Sequence, residues 1–218
     1  MLIQGIVSGI PSTVVPDTFS PTALLQGKHS DLIVSELTGK YYTAASRGLV
    51  YHGATALAGV TLTTTGSTTM TFGLWNPAGS GKVLVPIKSR IGFAGATGTV
   101  TALAWSASNQ LNANTAGTSA ISAKTLITSV NGRIEVVGSA SVGLLTSAAT
   151  LAAAPTIVKY LGASWGAPVA TTAAVFPTMI DDFDGELIIG PGSALWLTAA
   201  TAPGAAVNAS LSWQELPA

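Results

Sequence analysis

Thr69-Met-Thr-Phe-Gly-Leu-Trp75 alternates, so that Met70, Phe72 and Leu74 face one way and Thr69, Thr71 and Gly73 the other. A period of two is the signature of a half-buried strand. Thr99-Val-Thr-Ala-Leu-Ala-Trp-Ser106 repeats the pattern. So does the stretch that puts Val207, Ala209, Leu211 and Trp213 on one face. Around these lie further short strand-like runs: Asp31 to Glu36, Gly48 to His52, Lys82 to Lys88 continuing through Ile91 and Phe93, and Gly132 to Val137. Glu186 to Ile189 and Ala194 to Thr198 bracket a Gly190-Pro191-Gly192-Ser193 turn. Asn76-Pro77, Asn131-Gly132, Asp184-Gly185 and Pro203-Gly204 punctuate the rest. About eight strands at this spacing predict an all-β domain, an antiparallel β-sandwich or jelly roll. No segment carries a capped 3.6-residue period. Ser139 to Ala154 is the most helix-friendly piece, or a loop over the sandwich.

Composition agrees with this class. Ala, Thr, Gly and Ser dominate, while Lys and Glu, the usual helix-surface residues, are scarce. The chain has 218 residues, one domain's worth, and 48% of them are hydrophobic, enough for a core and too many for disorder. Only 8% are charged, against roughly 25% in an average soluble domain. Lys and Arg balance Asp and Glu at 9 each, so the basic excess of a nucleic-acid binder is missing. A mean hydropathy of +0.52 with no net charge points to a protein packed against other proteins.

The chemistry-bearing residues are few. Zero Cys excludes disulfides, thiol nucleophiles and Cys-based zinc sites. His29 and His52 lie in no metal-type spacing, and two His with no Cys and few carboxylates make a poor catalytic inventory, so no enzyme is expected and no catalytic residue is assigned. Asn76-Pro-Ala-Gly-Ser-Gly-Lys82 resembles a phosphate loop only superficially. The required Gly is Asn76, the required Ser or Thr is Val83, and a strand pattern follows. It reads as a glycine turn. Asp181-Asp-Phe-Asp-Gly-Glu186 holds four of the nine acids but lacks EF-hand spacing, so it reads as a solvated turn, with a shared cation as the alternative. Neither a cofactor nor a metal is expected. The five Trp residues would serve a core or interface, or else a carbohydrate platform.

Val136 to Val158 and Tyr160 to Ile180 are free of charge and long enough to span a bilayer. Their Ser, Thr, Gly and Pro content argues against insertion, and no membrane association is expected. Without a basic n-region, a secretory signal is not expected either. Residues 1–27 read as an extended N-terminal arm ahead of a β-sandwich domain over 28–218. Pro11, Pro16 and Pro21 bar a helix. Leu2, Ile3, Ile6, Val7, Ile10, Val14 and Val15 make the arm too apolar for a solvated tail, so they are the candidate contact residues for a neighbouring surface, by strand addition or in a groove.

Several phrases carry a family resemblance: Ala44-Ala-Ser-Arg-Gly48-Leu-Val-Tyr51, Phe72-Gly-Leu-Trp75-Asn-Pro77-Ala-Gly79-Ser-Gly81-Lys, Gly192-Ser-Ala-Leu-Trp196, and Ser210-Leu-Ser-Trp213-Gln-Glu215-Leu-Pro217. Over residues 40 to 110 and the last thirty, the chain resembles small β-rich virion proteins of tailed bacteriophages. The resemblance implies a structural protein on the capsid surface that decorates or cements the shell by binding the major capsid protein. It also implies a homotrimer. A tail, baseplate or fibre-head component of the particle is the alternative, and a carbohydrate-binding module is another.

Overall fold

The computed structural model describes residues 39–94, 101–109, 121–134, 140–164 and 178–218. The arm, with Leu2, Ile3, Ile6, Val7, Ile10, Val14 and Val15, lies outside the described residues, as do His29, the Asp31 to Glu36 run and Trp165. The chain divides into two compact units, Met1–Thr43 and Ala44–Ala218. The β-sandwich belongs to the second.

After one short helix, α1 (Tyr42–Ser46), the described elements are all strands: β1 (Val50–Ala54), β2 (Thr69–Met70), β3 (Gly73–Trp75), β4 (Lys82–Phe93), β5 (Thr101–Asn109), β6 (Ser122–Leu126), β7 (Val130–Asn131), β8 (Leu144–Thr150), β9 (Thr156–Ser164), β10 (Met179–Asp182), β11 (Ser193–Ala199) and β12 (Val207–Pro217). They form two antiparallel sheets. One runs β10-β4-β12-β1-β7. The other runs β8, β3, β11, β5, β9, with β2 also on β8 and β6 on the far side of β8. β2 and β3 keep one register against β8, Thr69 opposite Thr150 and Trp75 opposite Leu144, so they are one strand interrupted at Thr71-Phe72.

Set aside residues 110–155, which contribute β6, β7 and β8, and eight strands remain. Numbered along the chain, they lie in the order 6-3-8-1 in one sheet and 2-7-4-5 in the other. The chain crosses between sheets at every step but the fourth. This is jelly-roll wiring, two Greek keys wrapped into a sandwich. The insertion widens both sheets on the same side, with β7 beside β1 and β8 with β6 beside β3.

β12 shows how the sequence builds the core. Val207, Ala209, Leu211 and Trp213 are buried while Asn208, Ser210, Ser212 and Gln214 are not, as the alternation predicts. From the facing sheet Phe72, Leu74, Leu103, Trp105, Leu195 and Leu197 complete the core. Tyr51 stacks on Trp213 with ring centroids 6.2 Å apart. β11 is buried on both faces, which explains its unbroken Ala194 to Thr198 run. Leu195 and Leu197 point to the core, while Ala194 and Trp196 join a second cluster with Met70, Trp75, Ile121 and Leu151. β4 carries Pro86 in a central strand. Ile87 is an extra residue there, opposite the Ser212/Trp213 step, and a bulge is the place where a ladder tolerates a residue without an N–H.

Four expectations need correction. Within Ser139 to Ala154 the described residues form no helix: β8 takes Leu144–Thr150, with irregular chain on either side. The pairing of β8 with β2, β3 and β6 outweighs the helix preference of its alanines. Gly132 to Val137 is not a strand at its start. β7 ends at Asn131, and Asn131 Oδ1 accepts from the Arg133 N–H to turn the chain. Met70 does not share the core of Phe72 and Leu74. The bends at Thr71-Phe72 place it in the second cluster. The Gly190 to Ser193 turn is real, with Gly192 at φ 82 after Pro191 and a Ser193 N–H to Gly190 carbonyl bond of 3.0 Å, as in a type II turn. It does not close a hairpin. Ile189 bridges to Leu84 in one sheet and β11 lies in the other.

Candidate functional site

The densest group of charged side chains joins the edge strands of the two sheets. β9 ends one sheet and β10 ends the other. Lys159 on β9 donates to Asp181 Oδ1 at 3.0 Å and to Glu186 Oε2 at 2.6 Å. Its ammonium also stands 5.4 Å from the centroid of the Phe183 ring. Phe183 is fully buried against Trp105, ring centroids 5.4 Å apart. Beyond it Asp184 and Gly185 both take positive φ, as a type I′ turn requires, and the Glu186 N–H bonds to the Phe183 carbonyl. The segment from Asp181 to Ile189 is thus a strap. It is anchored by Phe183, by the Leu84–Ile189 bridge and by Lys159.

The solvated-turn expectation for Asp181 to Glu186 holds for Asp182, Asp184 and Glu186, which are exposed around the turn, and needs correction at Asp181. The Asp181 side chain is only 12% exposed, and its Oδ2 is buried with no hydrogen-bond partner. Asp182, more exposed, pairs with Lys88 at 2.9 Å. Among the described residues no group of three His, Asp or Glu side chains is placed to hold a metal ion. The hydrogen bond to Glu186, more than any other cause, raises the Lys159 ammonium above its ordinary value. Asp181 adds to this, and burial pulls the other way. The sequence held a signal for this pairing. Lys159 is the only charge between Glu135 and Asp181, and a lone charge in an apolar stretch must find a partner when it folds.

Lys159→Met removes that partner and leaves the Asp181 carboxylate nearly buried. Breaking a fully buried pair costs about 3–5 kcal/mol, and since Glu186 is mostly exposed the loss here is about 2 kcal/mol. The folded chain holds the Lys159 proton more tightly than the unfolded chain. The stabilisation is therefore complete below the unfolded lysine value and lost as pH rises through the folded one. While the Lys159 amine is free, thermal melts of both chains should differ by a constant amount at neutral pH and converge only in alkali above about pH 10.4.

Two buried polar side chains pin loops where sequence reasoning found none. Asn76 is fully buried, and its Nδ2 donates to the Lys82 carbonyl at 2.8 Å and the Ile189 carbonyl at 2.9 Å. The expected glycine turn is present beside it, with Gly79 and Gly81 at positive φ. Glu215 continues the core-facing phase of β12. Its Oε1 accepts from Ser141 Oγ at 2.6 Å and from the Gly143 N–H at 3.0 Å. Glu215→Ala should cost about 2 kcal/mol, because hydrogen bonds to a charged group are worth roughly 1.5–3 kcal/mol each and water can reach the freed loop. Urea titration should show a lower midpoint with an unchanged slope.

The remaining candidates do not converge. His52 shares a 2.7 Å hydrogen bond with Ser212 Oγ on the outer face of its sheet, and partial burial lowers its imidazole below the ordinary value. Trp75, Trp105, Trp196 and Trp213 are all buried, so none of these four presents a ring face for a sugar. A mostly apolar hollow of about 210 Å³ lies among Ala107, Leu187, Ile188, Ile189, Ala194 and Leu195, with Ser108 and Ser193 as its polar side chains. Ser108 Oγ already accepts from the Trp196 indole N–H, and the lining holds no charged group to orient a substrate. No described helix is long and apolar enough to cross a membrane.

The described sheet edges are built against strand addition. β7 has two residues and β10 has four, with Asp181 and Asp182 among them. β9 slips register twice, and β6 is irregular, with Ala123 at positive φ and Lys124 exposed. Short, bulged and charged edges are the usual protection against pairing with another chain. No family model, curated protein or solved structure matches the chain.

Proposed function

We propose that this chain is a structural protein of a bacteriophage particle that decorates and cements the capsid by binding the major capsid protein, as a homotrimer. The observation that supports this most is a jelly roll built from a chain with 8% charged residues and no net charge. Jelly rolls recur in viral capsid and lectin domains, although the fold alone does not assign a function. A charge-poor sandwich with protected edges suits association through loops, faces and an apolar arm. Multivalent contact with several shell subunits multiplies weak affinities without any new chemistry.

The role is mechanical. Each sandwich sits where shell subunits meet, and apolar and neutral polar contacts hold it there. Such contacts are little screened by salt, so attachment should survive high ionic strength. Deleting residues 1–23 should leave the sandwich folded, since its first described strand begins at Val50, and should weaken shell binding. Cosedimentation of full-length and truncated chains with capsid shells, in low and high salt, tests this. Equal binding by the truncated chain would overturn the arm's role, and release by moderate salt alone would overturn the apolar contact. Binding to tails or baseplates instead of shells would move the protein to the alternative place in the particle. Light scattering that reports a stable monomer at micromolar concentration would remove the trimer.

A further inference from the structure

We propose that Lys159 and Asp181 become joined by an isopeptide bond between Lys159 Nζ and Asp181 Cγ, with Glu186 as the proton-transfer group. Three observations converge on it. The amine is already held against the carboxyl group it would join, 3.0 Å from Asp181 Oδ1. Glu186 Oε2 stands 2.6 Å from the same nitrogen, where it can take and return a proton. Asp181 Oδ2 is buried without a hydrogen-bond donor. A charged oxygen buried there without a donor is costly, and an amide in its place carries no charge.

The step balances without an added reagent. One proton passes from the Lys159 ammonium to Asp181, which converts the ion pair to an amine and a carboxylic acid. The nitrogen lone pair attacks Cγ and the Nζ–Cγ bond forms. Glu186 takes a second proton from nitrogen and delivers it to the departing oxygen. The Cγ–O bond breaks, one water leaves, and Glu186 is restored to its starting state. Two opposite charges disappear and one amide is made. Holding the two groups together replaces a bimolecular encounter, and effective molarities for oriented pairs reach about 10⁵ M or more. The carboxylates favour the ammonium at rest. The neutral pair is therefore the minor form, and the bond closes slowly, after folding.

The product ties the edge of one sheet to the edge of the other and makes the strap from Asp181 to Ile189 covalent at its start. Denaturing intact-mass analysis of the full chain, fresh and after overnight warming, tests it. The expected result is a mass below the sequence mass by one water, growing on warming, with a branched peptide joining Lys159 to Asp181. Lys159→Arg keeps a cation between the carboxylates but has no primary amine, and should fold and retain the full mass. Glu186→Gln should slow the loss of water while leaving Lys159 and Asp181 in place. Full sequence mass in the folded wild type after warming overturns the proposal. So does a loss of water that maps elsewhere or persists in Lys159→Arg.

Discussion

Gly73→Ala is expected to lower stability by about 3 kcal/mol or more, at the upper end of what overpacking costs. A Cβ on Gly73 would overlap the Trp196 ring and lie 2.6 Å from the Leu195 carbonyl oxygen. Neither neighbour can yield cheaply. Trp196 is fully buried in the second cluster, and its indole N–H is held by Ser108 Oγ at 2.8 Å. Leu195 belongs to β11, hydrogen-bonded to β3 on one side and β5 on the other. At about 2–4 °C per kcal/mol for a chain of this size, calorimetry should record a fall of roughly 10 °C. A change within experimental error would mean that β3 and β11 are not neighbours in the register described.

Trp213→Ala should be comparably severe, about 3–5 kcal/mol, the range for removing a buried aromatic. Trp213 is fully buried in the middle of the core, stacked on Tyr51, on the strand that pairs with both β1 and β4. It lies beside the bulge that accommodates Pro86, so the surrounding backbone is poorly placed to collapse into the cavity. Trp213→Phe should recover more than half of the loss by refilling the volume. Chemical denaturation of the three chains measures both differences. Equal stabilities for the Ala and Phe variants would contradict the packing argument.

Residues whose structure follows from local pattern were legible. The alternation of β12, the long run of β4 and the Leu103/Trp105 face of β5 need no more than a period of two to be read. What the pattern cannot carry is the identity of the neighbour. β8 is written in Leu, Thr, Ser and Ala, residues that suit a helix as readily as a strand, and only β2, β3 and β6 beside it decide the matter. Glu215 obeys the alternation, yet a carboxylate at a core-facing position makes sense only once Ser141 and Gly143 arrive from more than 70 residues away. The same holds for the Lys159 contact. Its isolation in the sequence marks it as a charge in need of a partner, while the partner is set by the packing of two sheet edges.

The functional proposal stands on wiring and composition rather than on a reactive centre. That makes location the decisive observable. Electron cryomicroscopy of particles assembled with and without this chain tests it most directly. A difference map is predicted to show a trimeric, sandwich-sized density on the outer surface of the shell at points where capsid subunits meet. Difference density confined to the tail or baseplate, or identical maps from the two preparations, would contradict the assignment to the capsid surface.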